Sequence, residues 1–145
     1  MTITYTPIGH VRSPFESPDE VVHDAVSETE GRIVLDDEYS RGLTDLDEFS
    51  HVVVLAHLDD IDDTRLRAHP PHADDLEVGL FATRSPHRPN PIAQTTVELV
   101  DREGTTLRVR GLDLVDGTPV LDVKPYVRSV PASADAAFGW LDDVR

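Results

Sequence analysis

Three prolines fall within six residues in Arg84-Ser85-Pro86-His87-Arg88-Pro89-Asn90-Pro91, and this restricts the backbone more heavily than any other stretch does. Each proline fixes its own φ, removes a backbone donor and pushes the residue before it towards extended conformations. The apolar run Val78-Gly79-Leu80-Phe81-Ala82 reads as the end of a buried strand that stops at Thr83. Beyond Thr83 the chain can continue neither as a helix nor as a paired strand. It is a stiff loop with Arg84, Arg88 and Asn90 as fixed polar tips. A guanidinium keeps its charge and presents a planar fork of donors, so two of them on a rigid loop suit a carboxylate or a phosphate. The plainer reading is a proline-stiffened turn whose arginines pair with surface acids.

A second stretch, Asp113-Leu114-Val115-Asp116-Gly117-Thr118-Pro119-Val120-Leu121-Asp122-Val123-Lys124-Pro125-Tyr126, sets an Asp-Gly pair between alternating apolar residues. That pattern signals a β-hairpin. Its second strand ends in Asp122-Val123-Lys124-Pro125-Tyr126, and Lys124 is the sole lysine of the chain.

A chain of 145 residues suits one domain with a real core. We expect residues 1–130 to form that domain and 131–145 a helical tail of it. No apolar run approaches the roughly 18 residues of a membrane span, and no basic-then-apolar N-terminus appears, so a cytoplasmic protein away from membranes is expected. The absence of cysteine excludes disulfides, thiolate chemistry and cysteine-based zinc sites. Acidity is pronounced: 28 Asp and Glu stand against 13 Lys and Arg. Such a surface, with arginine favoured over lysine, resembles the proteins of salt-loving organisms, where screening shortens charge repulsion. The charge is uneven, with 5 basic and 19 acidic groups in residues 1–78 but 7 and 6 in residues 79–130. A segment that meets an anionic partner would resist acidification; a segment rich in buried strands would too.

In chain order the sequence reads as mainly β. Thr2–Val11 alternates loosely and is a strand turned by Ser13-Pro14-Phe15, residues 16–30 form an acidic loop, and Gly31–Leu35 is a short strand. Leu43, Leu46 and Phe49 at three-residue spacing predict one or two helical turns capped by Thr44. The β-branched run His51–Leu58 is a central strand, followed by the acidic loop Asp59–Asp63. Ile92–Val100 and Thr105–Val115 form a strand pair, Pro119–Val123 completes the Asp-Gly hairpin, and Pro131–Leu141 is a short helix with Ser133 as cap. About seven short strands with short helices suit a small barrel or sandwich.

Several chemistries lack their signatures. His69 and His72 flank two prolines rather than sharing a helix face, so no metal site is expected. Neither a Gly-x-Ser-x-Gly elbow, a Gly-x-Gly-x-x-Gly fingerprint nor a P-loop is present. His51 and His57 share a face of their strand; His51 either shapes a pocket or is a satisfied core histidine.

Taken together, Phe81-Ala82-Thr83-Arg84-Ser85-Pro86, Arg88-Pro89-Asn90-Pro91 and Asp116-Gly117-Thr118-Pro119 through Tyr126, with Ile8-Gly9, Ser13-Pro14-Phe15 and Phe49-Ser50-His51, resemble the TsaA-like (YaeB/TrmO) family over roughly residues 5–126. The resemblance implies a single-sheeted β-barrel with helical decoration, usually dimeric. It implies that S-adenosylmethionine binds against Arg88, Pro89, Leu99, Asp122, Val123, Lys124 and Pro125. It also implies tRNA as partner, methylated at N6 of threonylcarbamoyladenosine beside the anticodon. Carried over by motif, Lys124 and Asp122 are the catalytic candidates, and Arg84, Asn90, Tyr126 and His51 are the substrate-binding ones. The alternatives are a module that senses or presents S-adenosylmethionine, and methylation of another RNA or a small molecule. Two departures stand out: Ala93 occupies a position where the family usually has glycine, and many bacterial members continue into a second domain. An auxiliary protein, the dimer partner or a different substrate is expected to compensate.

Overall fold

In the computed structural model the described residues are 1–21, 23–70, 75–128 and 135–143. The chain divides into two compact units: Met1–Asp60 with Pro91–Tyr126, and Ile61–Asn90 with Val127–Arg145.

The first unit is a closed antiparallel barrel of six strands: β1 (Gly9–Arg12), β2 (Glu30–Leu35), β3 (His51–His57), β6 (Ile92–Glu103), β7 (Thr106–Arg110) and β8 (Pro119–Pro125). Its spatial order is β1-β2-β7-β6-β3-β8, closed by β8 against β1. The period of two decides what faces inward. In β3, Val52, Val54 and Ala56 are fully buried while Val53 and Leu55 are half-buried and His51 and His57 exposed. Val11, Ile33, Val97, Leu107, Val109 and Val120 fill the same interior. Most of these side chains are β-branched and fit a pleated, tightly curved wall. The barrel is thus plugged by its own side chains, and a ligand must use its outer wall or its ends. At Gly9 a Cβ would collide with the carbonyl of Val34 and approach Leu35 Cα to 2.8 Å, so a residue without a side chain lets β1 and β2 close.

Several sequence expectations change. The first strand begins at Gly9, not Thr2. Residues Leu43–Phe49 do not form one helix: a 3₁₀ helix at Asp37–Leu43 and another at Leu46–Glu48 are separated at Asp45, whose φ is +72°. Thr44 closes the first of these, its hydroxyl donating to Arg41 O at 3.0 Å, and caps nothing after it. The β6–β7 turn falls at Gly104, with φ +62°, and β7 ends at Arg110. The Asp116-Gly117 turn exists, with Gly117 at φ +84°, but it joins no hairpin. β8 instead pairs with β1 and β3, and Gly117 N–H donates to Val11 O at 2.7 Å.

The second unit holds a two-stranded ribbon, β4 (Arg67–Ala68) with β5 (Val78–Gly79). The apolar run after β5 is therefore not a buried strand. It turns at once into a 3₁₀ helix, Leu80–Ala82, in which only Leu80 is buried. Near the C-terminus Gly139–Asp143 is 3₁₀; Ser133 and Pro131, expected to start a longer helix, lie outside the described residues. No helix among the described residues is long and apolar enough to cross a membrane.

Candidate functional site

The residues singled out by sequence fall into two groups, one in each unit. In the barrel unit they are His51, Leu99, Asp122, Val123, Lys124, Pro125 and Tyr126; in the other, Arg84, Arg88, Pro89 and Asn90.

In the barrel the decisive feature is a bulge. Asp122 stands opposite Leu55 and Val120 opposite Ala56, so Leu121 is an extra residue in β8. Val120 faces the core, and strict alternation would send residues 122 and 124 inward after it. The extra residue reverses the alternation. Val123 packs against the core instead, while Asp122 and Lys124 project from the outer wall beside Leu55 and Val53. There Asp122 Oδ1 accepts from Val123 N–H at 2.9 Å, and Oδ2 meets Lys124 Nζ at 2.9 Å. Both side chains are substantially exposed, 43% and 62%, so the pair orients its members more than it stabilises the fold. β1 accompanies β8 only as far as Val120. Beyond it the backbone edge facing away from β3 is unpaired within the barrel, and Pro125 lacks an N–H, which hinders addition of another strand.

Register also gathers His51, Leu99, Pro125 and Tyr126 at one end of the barrel. Tyr126 N–H donates to His51 O at 3.0 Å, and Leu99 N–H to Ser50 O at 2.8 Å. The rings of His51 and Tyr126 meet edge to face, 6.4 Å between centroids. His51 is exposed, with Nδ1 2.8 Å from Ser50 Oγ, so it is no core histidine. Ala93 lies in β6 opposite Ala56 and packs on the core; extended strand backbone takes a Cβ without strain.

In the second unit the proline loop is as stiff as its sequence demands, and hydrogen bonds stiffen it further. The Thr83 hydroxyl donates to Leu80 O at 2.7 Å and accepts from Ser85 N–H at 3.2 Å. Arg88 Nη1 donates to Thr83 O at 2.8 Å and more weakly to Ser85 O and Leu80 O. One end of its fork thus clamps the loop, while its guanidinium lies 5.6 Å from the centre of the Phe81 ring. Arg84, Pro89 and Asn90 are exposed or nearly so, and Arg84 has no polar partner among the described residues.

Sequence reasoning missed His87. Its Nδ1 lies 2.6 Å from Asp63 Oδ1, and Arg65 Nε donates to Asp63 Oδ2 at 2.9 Å. The only prior signal was the acidic loop Asp59–Asp63, which composition presents as solvated surface. The hydrogen bonds from His87 and then Arg65 hold the Asp63 carboxyl below its usual 3.8. Because the folded value is depressed, the stability gained is present above 3.8 and lost as pH falls through the lower folded value. Unfolding midpoints of wild type and Asp63→Asn should therefore differ at neutral pH and draw together only as the pH falls below 3.8. A gap that persists unchanged at pH 2 would contradict this. Among the described residues no cluster of three or more His, Asp or Glu side chains could hold a metal ion.

Residues 10–132 match the family described as tRNA-methyltransferase O N-terminal domain. The chain belongs to this family. Within it, the chain is 42% identical over 125 residues to a protein of Archaeoglobus fulgidus named S-adenosyl-L-methionine-binding protein, covering 83% of this chain and 86% of that one. It is 44% identical over 87 residues to the tRNA (adenine(37)-N6)-methyltransferase of Mus musculus, covering 59% of this chain and 20% of that protein. The crystal structure of TrmO from Pseudomonas aeruginosa superposes with a TM-score of 0.80 at 36% identity over 98% of this chain. This chain spans 64% of that structure's length.

Proposed function

We propose that the chain is an S-adenosylmethionine-dependent tRNA methyltransferase acting at N6 of threonylcarbamoyladenosine beside the anticodon. The observation that carries this reading is the bulge at Leu121, which turns Asp122 and Lys124 out of a packed barrel onto an unpaired strand edge. That donor set fits the cofactor: Lys124 matches a carboxylate, Asp122 matches hydroxyls or a cation, and a free backbone edge matches a purine. Leu99, Val123 and Pro125 would supply apolar cover at the barrel's end; in the other unit, Arg88 and Pro89 are cofactor-binding candidates on their own rigid loop. When bound, S-adenosylmethionine supplies a methyl group on a sulfonium, already a good leaving group, so the protein's task is alignment.

Lys124 holds the carboxyl of Asp122 and keeps that side chain oriented. Asp122, fixed at both oxygens, is the group that accepts the proton released from the attacking nitrogen. His51 and Tyr126 would shape the acceptor side, with Arg84 and Asn90 as polar contacts to RNA. The proposal includes a cytoplasmic homodimer working in salt-rich conditions, where repulsion between an acidic chain and RNA is screened, and an auxiliary protein that adds RNA affinity.

A second reading is favoured by the name of the Archaeoglobus relative, which specifies binding alone: a module that binds S-adenosylmethionine without transferring its methyl group. A methyltransferase for another RNA or a small molecule is the third. Incubation with methyl-labelled S-adenosylmethionine and tRNA separates them, since label in RNA supports the first, and cofactor binding with no label in RNA supports the others.

A further inference from the structure

We infer that the second unit carries an aromatic platform, centred on Phe81, on which an unpaired RNA base stacks; as an RNA surface it rests on the proposed tRNA activity. Phe81 is 75% exposed although an apolar side chain of that size gains most from burial. Its neighbour Leu80 takes the interior position instead, at 1%. The ring is not loose: the Arg88 guanidinium lies 5.6 Å from its centre, and that arginine is itself clamped by carbonyls of Thr83, Ser85 and Leu80. A ring backed by a fixed cation on one side and open to solvent elsewhere is a rigid stacking surface with little entropy to lose.

Two further segments meet this one. Leu80 N–H donates to Leu66 O at 2.9 Å, and Trp140 Nε1 donates to Ala82 O at 2.7 Å. Leu66 and Phe138 are exposed, so neither phenylalanine of the unit is buried. Charge opposes an RNA occupant far less here than in the barrel unit. Ile61–Asn90 with residues 127–145 hold 6 basic and 8 acidic residues, whereas the barrel unit holds 7 and 20. The strong acidity of the chain thus falls mainly on the barrel unit and only weakly on the unit that carries Phe81. Arg84, three residues from Phe81, has no polar partner among the described residues, and so is available to a phosphate. Stacking on an aromatic face reads unpaired bases and is blind to a closed duplex.

The test titrates labelled RNA into the full chain without cofactor, using a hairpin with an unpaired loop and a blunt duplex of the same stem. Tighter binding to the hairpin is expected. Phe81→Ala and Phe81→Leu should each weaken hairpin binding by about ten-fold or more, while Phe81→Trp retains it and the duplex affinity is unmoved. Affinity for S-adenosylmethionine, measured separately by calorimetry, should be the same in all four proteins. Wild-type hairpin affinity in Phe81→Ala overturns the inference. So does a change in sedimentation of Phe81→Ala with RNA binding unaltered, which would make the ring a contact between two copies of the chain. Stacking that depends on Phe81 in a protein that transfers no methyl group would uphold the platform and overturn the transferase reading.

Discussion

Lys124→Ala is expected to lower methyl transfer to tRNA by at least about a hundred-fold, the scale of a positioned catalytic group, while leaving the barrel folded. The fold should survive because the ammonium is 62% exposed and contributes to packing only through its stem. The rate should not survive, because the substitution removes the cation that meets Asp122 Oδ2 and leaves Oδ1 as that side chain's one fixed point. Lys124→Arg separates charge from geometry. It keeps the positive charge but replaces a compact ammonium with a broad planar fork, so partial activity is expected. Asp122→Asn should lower turnover as well, since an amide cannot accept the proton. Turnover unchanged in Lys124→Ala would remove the residue from the mechanism and leave its ion pair a surface contact.

Leu107→Ala is expected to destabilise the protein by about 2–5 kcal/mol, the range for emptying a packed core position. Leu107 is wholly buried, stands opposite Ile33 on one neighbour strand and Arg102 on the other, and sits in an interior of largely β-branched side chains. Such side chains have little rotamer freedom with which to fill the void. In urea the midpoint should fall with the slope unchanged, which distinguishes lost packing from a loosened native state. A loss under about 0.5 kcal/mol, the scale of a neutral surface change, would mean that the barrel interior is not plugged by its own side chains.

The barrel was legible where one strand's pattern decides its own fate. In β3 the β-branched run His51–Leu58 announces a strand before any partner is known, but its unbroken apolar stretch does not say which face is inward; the structure buries Val52, Val54 and Ala56 and exposes both histidines. Pairing was harder to read. Asp116-Gly117 specifies a reversal, but local turn chemistry does not say which strand the returning chain will meet; it meets β1. The run Val78–Ala82 satisfies a buried strand and a short helical turn equally, since five apolar residues hold too few periods to choose. The break at Asp45 depends on one residue in the left-handed region, a conformation aspartate tolerates but does not announce.

The site divides in the same way. Sequence named the stiff loop and the Asp122–Lys124 pair, through residue types and a family likeness. It could not show the extra residue at Leu121, on which the outward direction of both side chains depends, because one inserted residue leaves the apolar pattern around it nearly unchanged. Nor could it show that Arg88 spends one nitrogen on its own loop. The Asp63–His87 contact joins residues 24 apart in sequence, a separation that no local pattern reports.

The most direct measurement is nucleoside mass analysis of tRNA incubated with methyl-labelled S-adenosylmethionine and the full chain in molar KCl, using tRNA that carries or lacks the threonylcarbamoyl group. The label should appear on threonylcarbamoyladenosine alone and be absent from the unmodified tRNA. Saturating cofactor binding with no label in either tRNA would contradict the transferase account.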